Sequence, residues 1–133
     1  MKKNECPNIL IVDDSPDLLH AIKFTLEKNS FKVLAVISQK LLQSALDYYI
    51  PDIILLDIVL ETENDGLDIC KTIKTNSSLS NIPILLMSGN AEKLQNFDQY
   101  LADGTILKPF TSPELIEKIY QLLQNREVQI KNL

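Results

Sequence analysis

Four apolar runs in this 133-residue chain each give way to a polar residue, and that pattern leaves few folds open. Asp13-Asp14 closes the run beginning at Asn8, Asp57 closes the run beginning at Asp52, Ser88 follows the run from Pro83 to Met87, and Lys108-Pro109 follows Thr105-Ile106-Leu107. A fifth run, 32–37, lies between the first two. The runs are continuously apolar rather than alternating, as strands are when both faces of a parallel sheet are covered by helices. Parallel strands point the same way, so the polar residues that close them share one edge of the sheet.

The segments between the runs read as helices. Ser15-Pro16 is a cap followed by a proline at the first helical position, and Leu18, Leu19, Ile22, Phe24 and Leu26 form its stripe. Leu41, Leu42, Ala45, Leu46 and Tyr49 recur at helical spacing until Pro51. Further helices are expected over 67–76 and 91–101, the second with Leu94, Phe97 and Leu101 as its stripe. Ser112-Pro113-Glu114 repeats the cap signal and opens the last helix. Strand and helix alternate throughout, which gives an α/β/α three-layer sandwich. Right-handed crossovers among five parallel strands favour the doubly wound, flavodoxin-like order 2-1-3-4-5. One domain is expected over 1–125, with 126–133 a tail or an extension of the last helix.

Composition narrows the function. Asp and Glu total 18 against 13 for Lys and Arg, a net charge of −5, which argues against non-specific binding to nucleic acid. No run approaches the ~20 apolar residues of a membrane helix, and the first seven residues have no apolar core of a secretory signal. Cys6 and Cys70 stand in no metal-ligand spacing and read as reduced thiols of a cytoplasmic protein. The single His20 cannot build a histidine metal site or a nucleophile–base triad.

In an open parallel sheet, ligands bind beyond the carboxyl ends of the strands, where the strand order reverses. Here that point lies between the first and third strands, which deliver Asp13, Asp14 and Asp57. Two carboxylates ~4 Å apart repel by roughly 4 kcal/mol at an effective dielectric near 20. Either one protonates or a cation binds, and hard oxygen ligands suit Mg²⁺ or Mn²⁺. A carboxylate beside a metal can serve as a nucleophile toward phosphorus, as in aspartyl-phosphate chemistry. Lys108 would supply an ammonium to the phosphoryl oxygens and Ser88 a hydroxyl, with the backbone N–H groups of Val59 and Gly89 completing the cradle. Taken singly, each residue reads as turn or cap chemistry; their joint arrival at one edge makes the case.

These stretches resemble the receiver domain of two-component response regulators. The resemblance rests on Ile9-Leu10-Ile11-Val12-Asp13-Asp14-Ser15, Asp52 to Ile58, Asp65-Gly66-Leu67, Pro83 to Gly89 and Lys108-Pro109-Phe110, and runs from Asn8 to about Gln124. It implies that Asp57 accepts a phosphoryl group from a histidine kinase or small phosphodonor. It implies Mg²⁺ on Asp14, Asp57 and the Val59 carbonyl, with Asp13 acting through water, and a cis Lys108–Pro109 bond. The implied partners are a histidine kinase or histidine phosphotransfer protein and a downstream protein effector, with neither nucleic acid nor membrane. The last helix, carrying Glu114, Glu117 and Lys118 beside its stripe, is compatible with a dimer face.

Three departures from the family pattern stand out. Thr105 stands where an aromatic usually couples phosphorylation to output. Glu61 replaces a proline in a loop that reads one residue longer than usual. Val59 and Asn90 occupy positions that tune dephosphorylation, and an apolar Val59 should not orient an attacking water, so a long-lived phosphoryl group is expected. The chain ends soon after one receiver, which suits a stand-alone regulator or an excised domain. A relay intermediate and a phosphorylation-independent interaction module are the alternatives. A dehalogenase-type phosphatase would need an acid at position 59, and a flavin-binding protein would not place Asp13-Asp14 against a phosphate.

Overall fold

The structure, a computed structural model, describes residues 6–60, 65–95 and 97–131. Five parallel strands, β1 (Asn8–Val12), β2 (Lys32–Val36), β3 (Ile53–Asp57), β4 (Ile84–Ser88) and β5 (Gly104–Leu107), form one sheet in the order β2-β1-β3-β4-β5. Helices α1 (Pro16–Lys28), α2 (Gln39–Leu46), α3 (Asp65–Thr75), α4 (Ala91–Leu94) and α5 (Ser112–Lys131) connect and follow them. This is the expected three-layer, doubly wound fold.

Alternate residues of each central strand face opposite layers. Leu10, Val12, Ile54, Leu56, Ile84 and Leu86 pack on α2, α3 and α4. Ile9, Ile11, Ile53, Leu55, Leu85 and Met87 pack on α1 and α5. All twelve are fully buried, and each leucine or isoleucine so removed from water contributes about 1.5–3 kcal/mol. That two-sided burial is why β1, β3 and β4 read as continuous apolar runs.

The edge strand β2 differs: Leu34 is 43% exposed, and Ile37 just beyond the strand is half exposed. Its apolar run overstates its burial because it has a neighbour on one side only. Phe24 and Leu41, expected on buried stripes, are exposed; the Lys28 ammonium lies 5.1 Å over the Phe24 ring instead.

The helix expected over 91–101 is not continuous. α4 is one turn long, and a short 3-10 turn follows at Phe97–Tyr100. Leu101 then takes a left-handed conformation, φ 65°, which no helix continues through. The chain turns there because Ala102 must enter the core and Gly104 must begin β5. The cap of α5 also moves by one residue. Thr111 Oγ1 accepts from the Glu114 N–H (3.2 Å), and the Glu114 carboxylate accepts from the Thr111 N–H (2.9 Å). This is a reciprocal capping box built on Thr111 rather than Ser112. Ser15 caps α1 as expected, accepting from Leu18 N–H at 3.3 Å. The Glu61 loop lies outside the described residues.

Candidate functional site

The switch between β1 and β3 creates the site. β1 ends at Val12, so Asp13 and Asp14 are the first residues beyond its rim, and Asp57 is the last residue of β3. One carboxylate oxygen from each of Asp13, Asp14 and Asp57 lies within 4.8 Å of the others. Lys108, reached across 95 and 51 residues of sequence, donates to Asp13 Oδ2 at 2.6 Å and to Asp57 Oδ2 at 3.2 Å. The Lys108–Pro109 bond that follows is cis.

The three acids are not equivalent. Asp13 is fully buried, and its other oxygen accepts from the Ser15 N–H at 2.9 Å, which ties it to the start of α1. Asp14 faces solvent. Asp57 is 6% exposed, and its Oδ1 accepts from the Val59 N–H at 3.1 Å. The Val59 N–H was expected to face a phosphoryl group; here it bonds the bare carboxylate two residues earlier, the closure that aspartate makes in turns.

Burial raises the Asp57 carboxyl above the ordinary carboxylate range, and the like charge of Asp13 adds to the rise; Lys108 and the Val59 N–H oppose it. For Lys108, burial alone would lower the ammonium. Its bond and attraction to Asp13, and then to Asp57, outweigh that and hold it above its usual value. One ammonium therefore stands against three carboxyl groups. A cluster of hard oxygen donors with surplus negative charge has the chemistry of a Mg²⁺ or Mn²⁺ site.

Ser88, also buried, ends β4 on the same rim. Its Oγ accepts from the Asn90 N–H at 3.0 Å, which leaves the hydroxyl proton to be donated elsewhere. The Asn90 side chain caps α4, accepting from Glu92 N–H at 2.9 Å. Gly89 is exposed, and a Cβ built on it meets nothing within 4 Å, so the approach over this turn is open. Thr105 lies on β5 opposite Leu86, half-buried. The Val59 side chain is 40% exposed.

One neighbour of the site was given no role in the sequence reading. Gly66, in the first turn of α3, lies against the backbone of Asp57 and Ile58, and its N–H donates to the Ile58 carbonyl at 2.8 Å. Its sequence signal was the Asp65-Gly66-Leu67 stretch that contributes to the family resemblance.

A family model described as the response regulator receiver domain matches residues 9–120. The response regulator ArlR of Staphylococcus aureus is 34% identical over 119 residues, covering 89% of this chain and 53% of ArlR. RpaA of Synechocystis sp., described as a DNA-binding dual master transcriptional regulator, is 28% identical over 124 residues, covering 91% of this chain and 51% of RpaA. The chain thus spans about half the length of these curated relatives. Two solved structures share the fold. NtrX from Brucella abortus superposes with a TM-score of 0.86 at 23% identity, over 95% of this chain and 29% of that one. Chemotaxis response regulator CheY4 of Vibrio cholerae superposes with a TM-score of 0.80 at 22% identity, over 88% and 98%. Among the described residues, no helix is long and apolar enough to cross a membrane.

Proposed function

The chain belongs to the response regulator receiver domain family, and from that premise we propose that it is a phosphoacceptor switch whose acceptor is Asp57. An Asp57 carboxylate oxygen attacks phosphorus. The bond from phosphorus to the donor's nitrogen or oxygen breaks, the donor leaves with the electron pair, and an acyl phosphate remains. The observation that carries this reading is the junction at Lys108, whose ammonium lies within hydrogen-bond reach of both Asp13 and Asp57. The same ammonium would neutralise one oxygen of the arriving group, and the Ser88 hydroxyl and Gly89 N–H would take others. The Val59 N–H, now on Asp57, would turn to the phosphoryl oxygen.

Mg²⁺, or Mn²⁺ in its place, would be held by Asp14, Asp57 and the Val59 carbonyl, with Asp13 acting through water. When bound, it supplies positive charge to the transferring group. Asp13 suits the lesser role because Lys108 and Ser15 already engage both its oxygens.

The donor would be a histidine kinase or a histidine phosphotransfer protein, and the readout a downstream protein effector. Phosphorylation would replace the single carboxylate charge at a buried rim by the about −1.5 to −2 of a phosphoryl group and bias the surface of α4, β5 and α5. Thr105 cannot fill an aromatic-sized pocket, so that bias would be carried without an aromatic at this position. Exposed Val59 offers no polar atom to a hydrolytic water, which favours a persistent phosphoryl group. Incubation with acetyl phosphate and Mg²⁺ tests the assignment by intact mass. Wild type should gain one phosphoryl group and Asp57→Asn none; equal labelling of both refutes it.

A further inference from the structure

The start of α3 touches the acceptor strand where no side chain fits. A Cβ built on Gly66 would lie 2.1 Å from the Asp57 carbonyl oxygen, 2.8 Å from the Asp57 carbonyl carbon and 2.6 Å from Ile58 Cα. All three atoms are backbone, so no rotamer change relieves the overlap. Gly66 does not adopt a positive φ, so the position demands a glycine for space rather than for backbone freedom. Gly104 is different: a Cβ there would come no closer than 3.4 Å to the side chains of Leu85 and Leu122, an ordinary contact.

We infer that Gly66 is a positioning residue for phosphoryl transfer: it lets α3 seat directly on the Asp57–Ile58 backbone and so fixes where the acceptor carboxylate sits. This rests on Asp57 being the acceptor. Three links connect the contact to the chemistry. The Gly66 N–H holds the Ile58 carbonyl at 2.8 Å. The Ile58 N–H donates to the Met87 carbonyl at 3.0 Å, so the same residue ties the rim of β3 to β4 beside Ser88. The Val59 N–H then holds Asp57 Oδ1 at 3.1 Å. A methyl at position 66 must gain about 1 Å of clearance from the Asp57 carbonyl, because real Cβ contacts essentially never fall under 3.0 Å. The strand end or the helix start must move by that amount. Misplacing a reacting group by ~1 Å costs on the order of a hundredfold in rate.

The experiment compares Gly66→Ala with Gly104→Ala and with Ile73→Val, which loosens α3 at a buried position about two helical turns beyond Gly66. Each is labelled with acetyl phosphate across a Mg²⁺ titration, well below its unfolding temperature. Gly66→Ala should label 10- to 100-fold more slowly than wild type at saturating Mg²⁺, while the two controls label at the wild-type rate even where their stability has fallen. A Gly66→Ala protein with the wild-type maximal rate and Mg²⁺ midpoint overturns the inference, and so does an equal slowing of Ile73→Val. If Gly66→Ala does not fold, hydrogen exchange of the wild-type protein decides. A Gly66 amide protected as strongly as those of β3 supports the seating, and one that exchanges freely overturns it. Labelling of wild type that survives Asp57→Asn would instead fail the acceptor assignment and leave the Gly66 contact untested by rate, in which case the same amide exchange decides the seating.

Discussion

The two rims of the sheet collect the same residue types and treat them oppositely. At the amino-terminal rim every described carboxylate that ties a strand has a cation. Asp52 lies 3.5 Å from Arg126 and accepts from the Asn8 N–H at 2.7 Å. Asp103 pairs with Lys74 at 2.9 Å and accepts from the Ile84 N–H at 2.8 Å. Lys74 also donates to the Ile82 carbonyl at 3.0 Å, and Arg126 to the Asp52 carbonyl at 3.2 Å. At the carboxyl-terminal rim, Lys108 pairs with Asp13 and Asp57, and the carboxyl group of Asp14 joins their cluster. The first rim is balanced and fastens the starts of β1, β3 and β4 to α3 and α5. The second carries surplus negative charge, which adds to the rise that burial causes at Asp57 and favours a cation. Stoichiometry, not residue type, separates an anchor from a reactive site.

That contrast can be broken from either end. The largest effect is expected at Lys108. Lys108→Met should slow acetyl-phosphate labelling by about 10²-fold or more, the usual cost of removing a preorganised charge-stabilising donor. A rate within a few-fold of wild type, measured by mass, would show the shared ammonium to be idle. Next comes Asp103→Ala, which strips an acceptor from both Lys74 and the Ile84 N–H. It should cost about 2 kcal/mol in urea unfolding and leave the labelling rate unchanged; slowed labelling would show that the rims are not separate.

A smaller effect of opposite sign is expected at Asp57. Because burial and Asp13 raise its carboxyl in the folded state, the native protein binds more protons than the unfolded chain just above the ordinary carboxylate range. Metal-free stability should therefore fall as pH rises through that window, and the loss should be complete above the raised value. Asp57→Asn removes the strained charge. It should stabilise the metal-free protein near neutral pH by about 1 kcal/mol, with the advantage shrinking on acidification. A melting series showing destabilisation at neutral pH would contradict this. The smallest effect is kinetic: Val59→Asn should shorten the lifetime of the acyl phosphate several-fold by offering a polar atom to water. An unchanged half-life would remove Val59 as the reason for persistence.

The legible parts of the molecule were those written in local pattern. Ile9 to Val12, Ile53 to Leu56 and Ile84 to Met87 are buried on both faces, so their apolar runs could only be central strands, and the topology rule then carried Asp13, Asp14, Asp57, Ser88 and Lys108 to one edge. The β2 run looked the same but has an open side, which composition does not encode. Leu94, Phe97 and Leu101 kept helical spacing, yet the left-handed Leu101 breaks the segment to bring Ala102 into the core. Thr111 and Ser112 are both capping residues; the glutamate three positions after Thr111 was the available tie-breaker. The Lys74–Asp103 and Arg126–Asp52 partnerships span 29 and 74 residues. No periodicity announces such pairings, and the contact of Gly66 with Asp57 depends on a docking distance that no sequence pattern records.

The five-residue length of β3 has an electrical consequence. Asp52 and Asp57 stand at its two ends, roughly 16 Å apart at ~3.3 Å per residue. At that distance Asp52 with its guanidinium presents a compact dipole, whose field decays faster than that of a lone ion. The lower end is therefore insulated from charging events at the upper one. A doubly negative group at Asp57, as proposed above, would come and go without loosening the foundation on which the strand stands.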